Sequence, residues 1–350
     1  MKTFNKVYLK SIILFALIIF LSVYINGCEP SGSYVEVQNF EVSALDYSDY
    51  HFFPDTLYKT SFVDFMNNTS GNYLQSTIDN QILINDSTFE IWLQTETVNP
   101  YGRLASATTM LYEEPPGGYS DTLINTTQIP GLHYFGYFRK LENWEYYIYP
   151  IAGMIGINID MPTDYHAAIS FKTNDGKKYG TSSFESSSSD TLILKMFKTD
   201  TQEPGVTPLA WELKLKNVYR LPINNLFNDG FELNVYYDSA GAFIKTIPNG
   251  LGIQRGLLGI TKLDRYTGTT HNPPPDSVFD FLVGYTIDTS SSDIIFPFLR
   301  PFLDDFILAN INSNYHFAEL YTQSKTIAST APNANKYFLK GFLKKSWYSQ

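Results

Sequence analysis

The chain of 350 residues has a single cysteine, Cys28, so it can build neither a disulfide framework nor a thiolate metal cluster. Its five histidines, His51, His133, His166, His271 and His316, never stand four residues apart, which removes the helix-borne zinc motif. There is no G-x-S-x-G elbow and no phosphate loop ending in Gly-Lys-Ser/Thr. Gly250, Gly252 and Gly256 approach a dinucleotide fingerprint, but the second gap is one residue too long and Pro248-Asn249 marks a turn; these glycines read as loop geometry. Basic charge is also scarce, with 25 Lys and Arg against 35 Asp and Glu. That balance argues against nucleic-acid binding and against adhesion to anionic lipid by charge alone. The longest apolar run, 12–25, is 14 residues, too short to cross about 30 Å of hydrocarbon comfortably.

What that run does fit is an export signal. Lys2, Lys6 and Lys10 precede it and Gly27-Cys28 follows it. The tetrad Ile25-Asn26-Gly27-Cys28 resembles a lipobox, with Asn26 an unusual member. We therefore expect 1–27 to be a lipoprotein signal peptide, Cys28 to be the lipidation site, and the mature chain to reside in the cell envelope, lipid-anchored at the outer membrane, on either its periplasmic or its outer face. Several acyl chains anchor firmly, since each buried CH₂ adds about 0.8 kcal/mol. Removing the signal leaves 22 basic and 35 acidic residues, a net charge of −13.

The 26 Tyr and 26 Phe fall largely in alternating runs with β-branched residues, which suits a pleated, half-buried surface. The expected fold is mainly β, with antiparallel sandwich-like portions and one or two short helices near the C-terminus. Residues 28–45 read as a polar tether, interrupted by Tyr34-Val35-Glu36-Val37 as a short strand. Strands are expected at 89–94, 146–149, 155–159, 191–197, 211–216, 231–236 and 338–342. Asn174-Asp175-Gly176 supplies the turn of a hairpin between 166–173 and 177–184. Helix-like spacing appears at 306–311 and 316–327. Glu203-Pro204-Gly205 and Pro208 mark the boundary between a β-rich domain at 46–200 and a second at 208–345.

Asp264, Asp276 and Asp280 flank a loop rich in Pro, Gly and Thr. Three carboxylates there could hold Ca²⁺, but the ligand alternation of a calcium loop is missing and Ser277 occupies a place where a turn glycine would help. The expectation is a solvated turn in which Asp276 makes a local bond to backbone, with no metal and no cofactor. The triplet Asp, Ser or Thr, then a small, aliphatic or Thr residue recurs from Asp55, Asp86, Asp121, Asp190, Asp238 and Asp276. It is similar to the O-glycosylation acceptor of exported Bacteroidetes proteins.

From Trp211 onward an ordered series of segments stands out. It runs through Trp211-Glu212-Leu213, Lys216-Asn217-Val218-Tyr219, Gly230-Phe231-Glu232-Leu233, Tyr236-Tyr237, Leu263-Asp264-Arg265, Pro275-Asp276-Ser277-Val278-Phe279-Asp280-Phe281, Gly284-Tyr285-Thr286-Ile287, Ile295-Phe296-Pro297, Glu319-Leu320-Tyr321 and Asn335-Lys336-Tyr337-Phe338-Leu339-Lys340-Gly341. In order and spacing this series resembles the N-terminal non-barrel region of the SprA (Sov) family, the outer-membrane translocon of type 9 secretion. Weaker similarity at Phe89-Glu90-Ile91-Trp92 and 190–195 extends the likeness over 85–343. Ser277 and Leu303 stand where the family usually has glycine, and Arg300 where it has an acid. The resemblance implies that barrel strands follow the position matching Gly341, whereas nine residues follow it here. The chain is thus not expected to form the pore alone.

The resemblance brings no catalytic residues. It implies a non-catalytic envelope lipoprotein with an accessory or structural role in protein secretion or gliding motility. Its partners would be outer-membrane secretion or motility proteins and the membrane through the lipid anchor, not nucleic acid. Asp264, Arg265, Asp276 and Asp280 form the candidate interaction loop, with an ion pair among Asp264, Arg265 and Asp276 fixing it and Asp264 and Arg265 replaceable without loss of the fold. The alternative is a surface glycan-binding lipoprotein, with Trp and Tyr faces stacking on sugar rings.

Overall fold

The computed structural model describes residues 33–66, 83–95, 100–120, 124, 126–150, 152–267 and 274–348. Residues 1–27, expected to be a signal peptide, and Cys28 lie outside the described residues. The fold is mainly β, built from antiparallel sheets with a few short helices. No described helix is long and apolar enough to cross a membrane.

Five strands close into a ring. Gly102–Thr108 pairs with His133–Lys140, then come Glu90–Gln94, Ala167–Lys172 and Leu192–Lys198, and the last returns parallel to the first. Period-two alternation sorts their side chains. Trp92, Phe138, Leu192, Leu194 and Met196 fill the interior, and Ala105, Ala107 and Ala168 leave room for the indole. Ile91 and Leu93, either side of Trp92, face outward into a second core with Ile169 and Phe171. The Asn174-Asp175-Gly176 turn forms as expected: Gly176 adopts φ +87°, and its N–H donates to the Thr173 carbonyl at 2.9 Å. Its hairpin is shorter than the sequence suggests, pairing only Phe171 with Tyr179 and Lys172 with Lys178.

The second core also takes in the helix Tyr58–Met66, through Tyr58, Phe62, Phe65 and Met66, and the strands His51–Phe52 and Met154–Ile157. A third core lies under the sheet ordered Ser33–Ser43, Tyr337–Tyr348, Phe231–Ser239, Ala242–Ile244. Between the second and third cores runs a small sheet of Val218–Arg220, Asp293–Ile295 and Ile287–Asp288. Val218 and Ile295 point into one core, and Tyr219, Ile287 and Ile294 into the other.

Several expectations are corrected. The 28–45 segment is not simply a tether: Ser33–Ser43 is an eleven-residue strand antiparallel to the C-terminal strand, with Phe40 and Val42 buried in the third core. The cores accordingly do not follow the order of the chain around 200–208. Leu213, Leu215, Tyr266, Leu282 and Tyr285 complete the second core, while Phe40 and Val42 complete the third. The segment 211–216 is not a strand from its start; Pro208–Leu213 is a short helix. Proline in its first turn carries no N–H to leave unpaired, and the Trp211 N–H donates to the Thr207 carbonyl at 2.8 Å. Only beyond Leu213 does the chain extend, with the Leu215 N–H bonded to the His51 carbonyl. The helix-like 316–327 splits into Glu319–Thr322 and Lys325–Ala328, because Ser324 caps the second helix by accepting from the Ile327 N–H. Short helices also occur well before the C-terminus, at Tyr58–Met66 and Leu257–Ile260.

Candidate functional site

The loop singled out in the sequence is held by its own backbone. The Asp264 carboxylate accepts from the N–H groups of Asp276 (3.0 Å) and Ser277 (2.9 Å). Asp280 Oδ2 accepts from the N–H groups of Arg265 (2.6 Å) and Tyr266 (3.2 Å). Asp276 makes the expected local bond, from the Val278 N–H at 3.0 Å. Two expectations fail. The turn is not simply solvated, since Asp264 and Asp280 are buried. Nor does Arg265 form the expected ion pair with Asp264 or Asp276: its Nη1 instead donates to the Met66 carbonyl (2.5 Å) and the Tyr285 hydroxyl (3.2 Å). Burial raises the pKa of Asp280 to about 6 and raises that of Asp264 as well, against the backbone amides that favour their charged forms. Alanine at 264 would orphan the Asp276 and Ser277 amides, and alanine at 265 would leave the Met66 carbonyl to the Tyr285 hydroxyl alone, so the pair cannot be exchanged without cost to the fold. No group of three or more His, Cys, Asp or Glu able to hold a metal occurs among the described residues.

Ser277 has φ +71°, a left-handed conformation that costs a residue with a Cβ about 1–2 kcal/mol. Ser277→Gly keeps the N–H that Asp264 requires and relieves that strain. After glycine's greater unfolded-state entropy is subtracted, a stabilisation of about 0.5–1 kcal/mol is expected, read as a higher urea midpoint at unchanged m-value.

A second polar constellation escaped sequence reading. Ser48 Oγ lies 2.6 Å from His51 Nδ1, and His51 Nε2 lies 2.5 Å from the Tyr147 hydroxyl and 3.1 Å from Asp293 Oδ2. Arg220 clamps Asp293 through Nε and Nη2, both at 3.0 Å, and the Tyr147 hydroxyl donates to Asp293 Oδ2 at 3.0 Å. With the ring proton on Nε2, every bond is satisfied: Ser48 donates to Nδ1, and Nε2–H faces Tyr147 and Asp293. Serine, histidine and aspartate in series are the components of a hydrolase triad. Here, however, His51 and Asp293 are fully buried and Ser48 is 6% exposed, so the series lies beneath the surface. The four strands that contribute His51, Tyr147, Arg220 and Asp293 belong to two sheets, and the network pins one to the other. Its one legible trace in the sequence is the Ser48/His51 spacing, because Asp293 is brought up only by the fold.

Arg265, Asp264, Pro275 and Ser277 also form part of the wall of a groove of about 820 Å³, whose remaining wall comes chiefly from 245–262. No protein-family model matches the chain, and no curated protein matches it.

Proposed function

We propose that the chain is a non-catalytic envelope lipoprotein with an accessory or structural role in type 9 protein secretion or gliding motility. In this reading it is a relative of the non-barrel region of the SprA family, anchored through Cys28 at the outer membrane and bound to other envelope proteins. The ordered segments from Trp211 to Gly341 support that kinship. The burial of Ser48, His51 and Asp293 supports a role without hydrolysis.

The observation that carries the binding role is the Ser33–Ser43 strand. Among the described residues its backbone pairs along one side only, with Tyr337–Tyr348, and Val35 and Val37 stay 52% and 47% exposed. An open edge of eleven residues offers a row of amides and carbonyls to a strand from another chain.

Affinity purification from detergent-solubilised envelope, read by mass spectrometry, tests the proposal. The wild type should recover secretion or motility components, and Val35→Lys with Val37→Lys should recover several-fold less, because charge on an edge strand blocks pairing. Recovery of no such component, together with calorimetric binding of a defined polysaccharide, would replace this reading by glycan binding. Trp144, Tyr101 and Tyr112, which are 72%, 83% and 74% exposed, are the rings available for that alternative. Trp92 and Trp211 are buried.

A further inference from the structure

The 820 Å³ groove is lined by four cations, Lys245, Arg255, Lys262 and Arg265, in a chain whose net charge is −10. None of the four forms an ion pair with a carboxylate among the described residues. The acid in the wall, Asp264, spends its oxygens on the Asp276 and Ser277 amides. Asp305 feels Lys262 and Arg265, but burial raises its pKa to about 8 and keeps it largely protonated at neutral pH. Asp264 in the wall, with Asp276 and Asp280 in the same loop, offsets the four cations only in part.

Two glycines keep the groove open. A Cβ built on Gly256 or Gly259 would meet nothing within 4 Å, and neither residue has a positive φ. Neither backbone conformation nor packing requires glycine there. Lys262 is held at φ +61°, an uncommon conformation for a long side chain, and it stands in the groove wall.

The geometry points to a binding site for a phosphate-bearing ligand, either a lipid headgroup or a soluble phosphate compound. Arg255 offers a planar fork that matches phosphate oxygens, two lysines add compact charge, and Arg265, whose Nη1 is held by the Met66 carbonyl and the Tyr285 hydroxyl, adds charge from the wall. The open backbone at Gly256 and Gly259 lets a bulky headgroup approach closely. This inference is independent of the secretion reading, since it concerns the groove alone.

The test uses the full chain carrying Cys28→Ser, so that no acyl group drives membrane binding. Titration calorimetry with pyrophosphate and flotation with vesicles of phosphatidylglycerol in phosphatidylcholine are the two arms. Binding is expected at low ionic strength and should weaken as salt rises. Arg255→Ala with Lys262→Ala should lower affinity by at least about tenfold, through lost charge-assisted bonds. Gly256→Val should lower it similarly by filling the groove, while the thermal unfolding midpoint stays unchanged. Binding in both arms, or in either alone, supports the site and identifies the source of the phosphate. The proposal is overturned if neither probe binds, if binding ignores these substitutions, or if polyglutamate binds as tightly with the same sensitivity to them.

Discussion

Asp293→Ala is expected to destabilise the protein by about 3–5 kcal/mol, measured by urea unfolding at neutral pH. The aspartate is fully buried and accepts from Arg220, Tyr147 and His51 at 3.0–3.1 Å. Removing it takes the carboxylate from a buried histidine and a buried tyrosine hydroxyl, leaving His51 only the Tyr147 oxygen and Tyr147 only a long contact to Ser291. Arg220 is 37% exposed at its side chain and can turn toward water, which places the loss at the lower end of that range. Burial by itself would raise the pKa of Asp293, but His51 and Arg220 outweigh it and hold the carboxyl well below the ordinary range. A depressed carboxyl contributes stability that is complete above its unfolded value of about 3.9 and is lost as pH falls through the folded value. The acid arm of the wild-type stability curve should therefore be steep below about pH 4, and Asp293→Asn should flatten it. A loss under about 1 kcal/mol for Asp293→Ala would show that the network is not what joins the two sheets.

The strand at Glu90–Gln94 was legible because alternation and burial agree there: Trp92 serves the interior of the ring while Ile91 and Leu93 serve the core outside it. The turn at Gly176 was legible because its residues tolerate positive φ. Trp211-Glu212-Leu213-Lys214-Leu215-Lys216 misled, since the same residues also satisfy helical spacing, with Trp211 and Leu215 four apart. Thr207 and Pro208, at the helix start, decided the matter locally, and Lys216 lies buried beyond the helix end. The Lys216 ammonium donates to the carbonyls of Trp211 and Lys214 and sits 3.9 Å from the Trp211 ring. The Ser33–Ser43 strand was only partly visible, because its outer half alternates valine with polar residues and its pairing partner lies at the far end of the chain. The candidate loop was legible as a place but not as a mechanism. The carboxylates Asp264 and Asp280 were visible, but the backbone amides that occupy them carry no side-chain signature. Lys245, Arg255 and Lys262 escaped notice for a related reason: they are scattered singly, and the positive groove exists only once the chain folds.

Asp305→Asn is expected to stabilise the protein, with an effect that grows as pH rises. Asp305 is 1% exposed, in the helix Asp304–Leu308, and neither carboxyl oxygen has a hydrogen-bond partner. Burial is the largest influence on it and pushes its pKa to about 8, while Lys262 and Arg265 offset this only in part. The sign follows from proton counting. Between the unfolded value of about 3.9 and the folded value, the native state holds a proton that the unfolded state has released, so stability falls as pH rises through that window. The distance between those two values corresponds to about 5 kcal/mol at full expression, and relaxation of the surroundings should reduce it to a few kcal/mol. Asparagine keeps the shape and cannot ionise. The gain for Asp305→Asn should be small near pH 5 and on the order of 3 kcal/mol near pH 8. Urea midpoints of wild type and variant across that range measure it, with the m-value as a control for an unchanged fold. Parallel curves for the two proteins would mean that Asp305 ionises freely. The acid would then stand close enough to solvent, or to Lys262, to be charged at neutral pH, and the groove beside Lys262 and Arg265 would carry correspondingly less net positive charge.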